Sequence, residues 1–139
     1  MRYLLFASHG RLAEGMLHSV EMITGKQESV WTMGAYLEEK VDIKSQINAC
    51  LRRLMDEDEL IVVTDIFGGS VNNEFMNVLD DKRIHLIAGL NLAMVIELVT
   101  MNNREKDTVK LIKSALNNSK SSMRYCNLDL KCDTDDEEF

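Results

Sequence analysis

The sequence predicts an α/β domain in which a mainly parallel sheet lies between two layers of helices. Three observations predict it. Short apolar runs rich in strand formers alternate with segments of helical periodicity, the order that builds βαβ units with right-handed crossovers. The chain has 139 residues, enough for one domain that buries a core without disulfide or metal staples. Hydrophobic residues make up 45% and charged residues 28%, the balance of a globular chain rather than a disordered one.

The elements follow in order. "RYLLFA" (2–7) is a continuous apolar run too short for a helix and reads as a buried strand. In "RLAEGMLHSVEMITG" (11–25), Ala13, Met16, Leu17, Val20 and Ile23 recur at helical spacing and Gly25 is a stop signal. "SVWTMGAY" (29–36) is rich in strand formers. "VDIKSQINACLRRL" (41–54) puts Ile43, Ile47, Leu51 and Leu54 on one helical face, with Asp42 as N-cap. "ELIVVTDIF" (59–67) is the most hydrophobic strand segment, and "SVNNEFMNVL" (70–79) follows it as a helix. "RIHLIAGL" (83–90) is a further strand, and "NLAMVIELVTM" and "KDTVKLIKSALNN" are helical. "SMRYCNLDLKC" (122–132) alternates like an edge strand.

Composition excludes several function classes. No apolar run approaches the roughly 20 residues that span a bilayer, and "MRYLLFASHG" lacks a small-residue cleavage site, so a cytoplasmic protein is expected. Cys50, Cys126 and Cys132 are odd in number and lack CxxC spacing, which argues against a disulfide framework or a zinc site. They read as small buried or half-buried hydrophobes in a reducing compartment. The net charge of −7, without a Lys/Arg cluster, argues against a nucleic-acid partner. Much of that excess lies in "DTDDEEF", so the expected domain is 1–132, with 133–139 an acidic, disordered tail. There are no prolines, and glycine must do the turn work.

Function in such folds gathers at the carboxyl ends of the strands, around a topological switch point. Three strand ends carry unusual residues: Ser8-His9-Gly10, then Thr64-Asp65 through Ser70, then Gly89-Leu90-Asn91. With strand order 2-1-3-4, His9 and Asp65 face each other across the switch point. A carboxylate on one ring nitrogen fixes the tautomer, leaves the other lone pair outward and stabilises the positive charge that grows as the ring attacks. In "DIFGGS", two glycines let backbone approach a ligand and Ser70 opens a helix, whose free N–H groups attract phosphate. Transient transfer of a phosphoryl group onto His9 fits this set, and no metal or cofactor is required. The same residues also suit blander roles: a structural histidine, a turn aspartate and a tight β–α turn. On the residues alone, a phosphoryl carrier and a ligand-binding domain without a nucleophile both stand.

The segments "SHGRLAEG", "VVTDIFGGSVNN" and "AGLNLAMVIEL" together resemble the signature segments of the mannose-family enzyme IIA domain of the bacterial phosphoenolpyruvate-dependent sugar phosphotransferase system (PTS). The resemblance runs in order from Met1 to about Thr100. It implies a phosphocarrier whose His9 takes phosphate from the histidine-containing phosphocarrier protein HPr and passes it to a IIB domain. Asp65 then matches the carboxylate paired with the family's histidine, and Gly68, Gly69 and Ser70 match its phosphate-side loop. It also implies a parallel sheet with one antiparallel C-terminal edge strand, exchangeable across a homodimer. Val71 and Ala93 stand where the family usually has proline. Proline pre-organises a first helical turn, so its loss removes about 0.4–1 kcal/mol through the unfolded state. With no IIB region in the sequence, action on a separate IIB protein is expected.

The remaining candidates are quieter. His18 and His85 read as structural or surface histidines, Trp31 as core or interface packing, and Arg11 as a solvated helix-start arginine that could also hold phosphate. A histidine phosphatase would need an arginine directly before the histidine, where Ser8 stands. A receiver module would need paired acidic residues early in the chain, where Ser8 and His9 stand. A dimeric regulatory or ligand-binding module without phosphotransfer is the alternative function.

Overall fold

Strand β1 (Arg2–His9) is apolar on both faces, and Leu4, Leu5, Phe6 and Ala7 are wholly buried. Such a strand needs cover on two sides, and the chain supplies it in sequence order. The computed structural model describes residues 1–130; the predicted tail 133–139 and Cys132 lie outside the described residues. Helix α1 (Leu12–Thr24) leads to β2 (Val30–Ala35), α2 (Ile43–Leu51) to β3 (Glu59–Thr64), and α3 (Ser70–Met76) to β4 (Ile84–Ala88). Helices α4 (Leu92–Met101) and α5 (Thr108–Lys120) complete the fold.

The strands form a parallel sheet in the expected order β2-β1-β3-β4. Strand periodicity sends alternate residues to opposite faces. Leu4, Phe6, Ile61, Val63 and Ile87 pack under α1, α4 and α5. Leu5, Ala7, Leu60, Val62 and Ile84 pack under α2 and α3. At the end of β1 the same alternation turns Ser8 toward α1 and His9 toward α3. Asp42 caps α2 as predicted, its carboxylate accepting from the Ser45 N–H at 2.7 Å. Ile23, assigned to the buried face of α1, is instead exposed at its last turn. Trp31 packs as expected, stacked on Tyr3 with ring centroids 4.6 Å apart and covered by the Arg53 guanidinium. Cys50 is half-buried as expected, and burial pushes its thiol up from its ordinary value, whereas Cys126, expected to be at least half-buried, is exposed on a segment with no buried face.

One expected element is corrected. The segment "SMRYCNLDLKC" does not add an antiparallel edge strand among the described residues. Residues 126–130 are helical, with the Leu128 and Asp129 N–H groups donating to the Tyr125 carbonyl at 3.0 and 3.3 Å. The alternation that suggested a strand has no buried face to serve, since Tyr125, Leu128 and Leu130 are all exposed. Local bonds then satisfy the backbone, and the Arg124–Asp129 ion pair closes the turn.

At the opposite end of the sheet from His9, Arg2 ties β1 to the α4–α5 connection. Its guanidinium donates to the carbonyls of Asn102, Glu105 and Lys106 at 2.8–2.9 Å and to Thr108 Oγ1 at 3.0 Å. These carbonyls follow a helix end and have no helical partner. Arg2→Ala is expected to lower stability by about 2–3 kcal/mol, the cost of hydrogen bonds to a charged group. Urea denaturation should show a lower midpoint at unchanged slope; an unchanged midpoint would show that the latch contributes nothing.

Candidate active site

The site lies where β1 and β3 end side by side and their following helices depart to opposite faces of the sheet. The last pair of the β1–β3 ladder is Ala7 with Thr64. The Asp65 N–H then donates to the Ala7 carbonyl at 3.1 Å, carrying the ladder one residue past β3. This register puts Asp65 opposite Ser8, from where its side chain reaches the next residue of β1, His9. Asp65 Oδ2 accepts from the His9 backbone N–H at 2.8 Å and from the ring Nδ1 at 2.7 Å, while Oδ1 accepts from the Ile66 N–H at 3.0 Å. One carboxylate thus holds both the backbone and the ring of the histidine.

Burial alone would raise the Asp65 carboxyl, but the bonds from the His9 backbone and ring and from Ile66 outweigh it. The group is held below the usual carboxylate range and is charged at neutral pH. A depressed carboxyl stabilises the fold above its unfolded value near pH 3.9, and that contribution is lost as acid titrates the folded group. The side chain of Asp65 is 10% exposed and that of His9 is 45% exposed. The orienting group is inside, and the group it orients is outside.

With Nδ1 committed to Asp65, Nε2 faces the opening. Ser70 Oγ lies 3.2 Å from it, and the Tyr36 hydroxyl lies 2.7 Å from Ser70 Oγ. Gly68 turns the loop at φ +81°, and its carbonyl accepts from Asn73 Nδ2 at 3.2 Å. At Gly69 a Cβ would meet the Ile66 side chain at 2.8 Å and His9 Cε1 at 3.4 Å, so glycine permits the loop to close on the ring. Ser70 and the wholly buried Val71 open α3, whose first-turn N–H groups have no helical acceptor.

Supporting groups fix these loops from beneath. Ser8 Oγ, wholly buried, accepts from the Ala13 N–H at 2.8 Å and sets the start of α1 behind His9. Thr64 donates to Asn72 Oδ1 at 2.7 Å in the interior, linking the end of β3 to α3. The Asn91 side chain caps α4 at the Met94 N–H. Arg11 is exposed at the start of α1 and His18 is exposed on it. His85 lies away from the site and bonds Glu59 at 2.8 Å. No group of three or more His, Cys, Asp or Glu able to hold a metal occurs among the described residues.

The predicted residues His9, Asp65, Gly68, Gly69 and Ser70 are therefore brought together. Sequence reasoning missed Tyr36. It has φ +66°, in the left-handed region that side chains rarely adopt, at a cost of about 1–3 kcal/mol that the surroundings must hold. Its ring centroid lies 5.5 Å from that of His9. The strand order gave only the neighbourhood: in a 2-1-3-4 sheet the end of β2 borders the end of β1, while the conformation that turns Tyr36 to the site has no pattern in the sequence.

Comparison with known proteins places the chain in a family. Residues 3–116 match the family model EIIA-man, described as PTS system fructose IIA component. The PTS mannose-specific EIIAB component of Escherichia coli strain K12 is 26% identical over 123 residues, covering 87% of this chain. The chain spans 38% of that protein's length. A Klebsiella pneumoniae crystal structure, proposed to be a PTS permease, is 50% identical with a TM-score of 0.88, each chain covered over 93%. The crystal structure of a PTS component EIIA from Streptococcus agalactiae is 26% identical with a TM-score of 0.81, covering 92% of this chain and 99% of that one. Because the family match runs from β1 through every strand of the sheet and into α5, the chain belongs to the EIIA-man family of PTS IIA components.

Proposed function

We propose that the chain is a cytoplasmic phosphoryl carrier of a sugar PTS. His9 accepts phosphate from phospho-HPr on Nε2 and passes it to a separate IIB component for coupled sugar uptake and phosphorylation. The observation that carries this reading is the Asp65 clamp, with Nδ1 bonded at 2.7 Å and the opposite nitrogen turned to the opening. In the transfer, the Nε2 lone pair attacks phosphorus while the bond from phosphorus to the donor's histidine breaks, its electron pair returning to the donor ring. Positive charge appears on the His9 ring and is balanced by Asp65. Such transfers depend on positioning and electrostatics more than on covalent help from the protein. Gly68 and Ser70 receive the phosphoryl oxygens with backbone N–H groups and the serine hydroxyl, and Gly69, whose own N–H donates to the Ile66 carbonyl at 3.3 Å, leaves room beside the ring. Passage to IIB is the same reaction with the roles exchanged.

A protein donor suits the surroundings of His9 better than a small molecule. Leu12 at the start of α1, and Leu37, Ile66 and Phe67 on the loops around His9, are each at least half exposed. Clustered apolar side chains on a soluble surface mark sites of protein contact. None of the described helices is long and apolar enough to cross a membrane. The outer edge of β4, at the end of the sheet order, favours pairing with a second copy of the chain.

Incubation with phosphoenolpyruvate, enzyme I and HPr should place one acid-labile phosphate on the peptide containing His9. Label retained by His9→Ala would overturn the assignment.

Asp65→Asn should slow transfer from phospho-HPr by about ten- to a thousandfold, by analogy with other orienting and proton-handling groups. The amide cannot balance the ring's charge. In either orientation it also sets an N–H against an N–H donor, that of His9 or of Ile66. Rapid-quench kinetics measure the loss and circular dichroism checks the fold; a wild-type rate would reduce Asp65 to a turn residue.

Sedimentation equilibrium at micromolar concentration should give the mass of a homodimer, and a monomer alone would exclude it.

A further inference from the structure

The nitrogen of His9 that faces away from Asp65 also has a neighbour, and that neighbour is held in turn. Nε2 lies 3.2 Å from Ser70 Oγ, which lies 2.7 Å from the Tyr36 hydroxyl. The proton count fixes the direction of this chain. In the neutral ring Nδ1–H donates to the carboxylate, so Nε2 presents a lone pair and requires a donor. The Ser70 O–H supplies it, which leaves the Ser70 oxygen to accept from the Tyr36 O–H. The order is Tyr36 to Ser70 to His9.

We propose that Tyr36 is a positioning residue for phosphoryl transfer at His9: by holding Ser70, it keeps the serine hydroxyl on the Nε2 lone pair before transfer and leaves it free to turn to the phosphoryl oxygens afterwards. This rests on the carrier reading above. The lone pair that accepts from Ser70 is the one that forms the nitrogen–phosphorus bond, so the Ser70 proton must leave Nε2 as phosphorus arrives. A hydroxyl does this by rotating about its own C–O bond, with no heavy atom displaced. The Tyr36 bond stays on the Ser70 oxygen throughout. After transfer the anionic phosphoryl oxygens are the stronger acceptors, and the Ser70 proton turns to them. Tyr36 itself forms and breaks no covalent bond.

The backbone is built to place this side chain. Tyr36 adopts a conformation unusual for a side-chain-bearing residue, and the turn that carries it is fastened to the residue after His9. The Gly10 N–H donates to the Ala35 carbonyl at 2.9 Å. Gly34 lies so close that a Cβ there would meet the Gly10 carbonyl at 2.5 Å and Leu37 Cδ1 at 2.7 Å. The Tyr36 ring, tilted 32° to the imidazole, borders it on that side. Tyr36 therefore moves with His9, which a positioning role requires.

The test uses the full chain as wild type, Tyr36→Phe, Ser70→Ala and the double variant. Rapid-quench transfer from phospho-HPr is measured together with nitrogen-15 resonances of the His9 ring in the unphosphorylated protein. Tyr36→Phe keeps the ring and removes only the hydroxyl. It should slow transfer about fivefold, the equivalent of one neutral hydrogen bond, and shift the Nε2 resonance while that of Nδ1 stays. In the Ser70→Ala background it should change neither reading, because its effect passes through Ser70. A wild-type rate in Tyr36→Phe, an unmoved Nε2 resonance, or an equal slowing with and without Ser70 would each overturn the proposal. If wild type takes no phosphate at all, the carrier reading fails instead. The nitrogen resonances of the four proteins then decide separately whether Tyr36 controls the bond from Ser70 to Nε2.

Discussion

The two bonds that Asp65 Oδ2 accepts from His9 are the constraint on which the site depends. A histidine at the end of a strand could turn about its side-chain torsions and about the backbone beyond the last ladder bond. Asp65 removes both freedoms with one oxygen, because the backbone N–H and Nδ1 converge on it at 2.8 and 2.7 Å. The second oxygen is used as well, on Ile66, so the carboxylate is fixed by the loop it anchors. This geometry is available only because β1 and β3 are parallel neighbours in register, with Ala7 opposite Thr64. The sheet order is therefore part of the chemistry: in any order that separated β1 from β3, the same residues would not meet.

Rigidity at the strand ends comes from small buried groups. Ser8 and Thr64 are polar and wholly buried, and each is bonded to the helix that follows its strand, at Ala13 and Asn72. A buried hydroxyl without a partner would destabilise the fold, so these bonds define where α1 and α3 begin. Val71 acts in the same sense. It stands where the resemblance read from the sequence implies a proline, and it is wholly buried beside Phe75 against the face that holds Leu5 and Ala7. Burying a valine contributes roughly 1.5 kcal/mol or more, comparable to or larger than the entropic advantage of a proline at that position. The helix start is held by packing from below instead of by a restricted backbone from within.

Much of this was legible in the sequence, for a physical reason. The apolar runs 2–7 and 59–67 are too short and too continuous for anything but doubly covered strands, so the parallel order followed. Once it did, the residues at the strand ends had to share one edge of the sheet. His9, Asp65 and the glycine-serine loop were found in that way. The strand predicted over 122–132 does not form among the described residues, because alternation signals a strand only when one face is buried, and residues 122–130 bury neither. Tyr36 was missed for the opposite reason. Its proposed role depends on a left-handed backbone conformation and on Gly34 of β2 approaching Gly10 of the loop after β1. No pattern within "SVWTMGAY" encodes that close approach, since the other partner, Gly10, belongs to the loop after β1.

The contrast in exposure between the paired groups has its own logic. An ion pair at the surface is weakened by water and salt, while a fully buried histidine could not meet a protein-borne phosphate. Here the carboxylate is nearly enclosed and bonded by three N–H donors, so its charge is fixed before any partner arrives. The imidazole edge with Nε2 remains at the opening, among exposed apolar side chains that a docking protein would cover. Docking would then remove water from the one side of the ring that still has it, and the field of Asp65 on the ring would strengthen at that moment. On the proposed carrier reading, a docked partner would strengthen an ion pair whose carboxylate is already fixed in place.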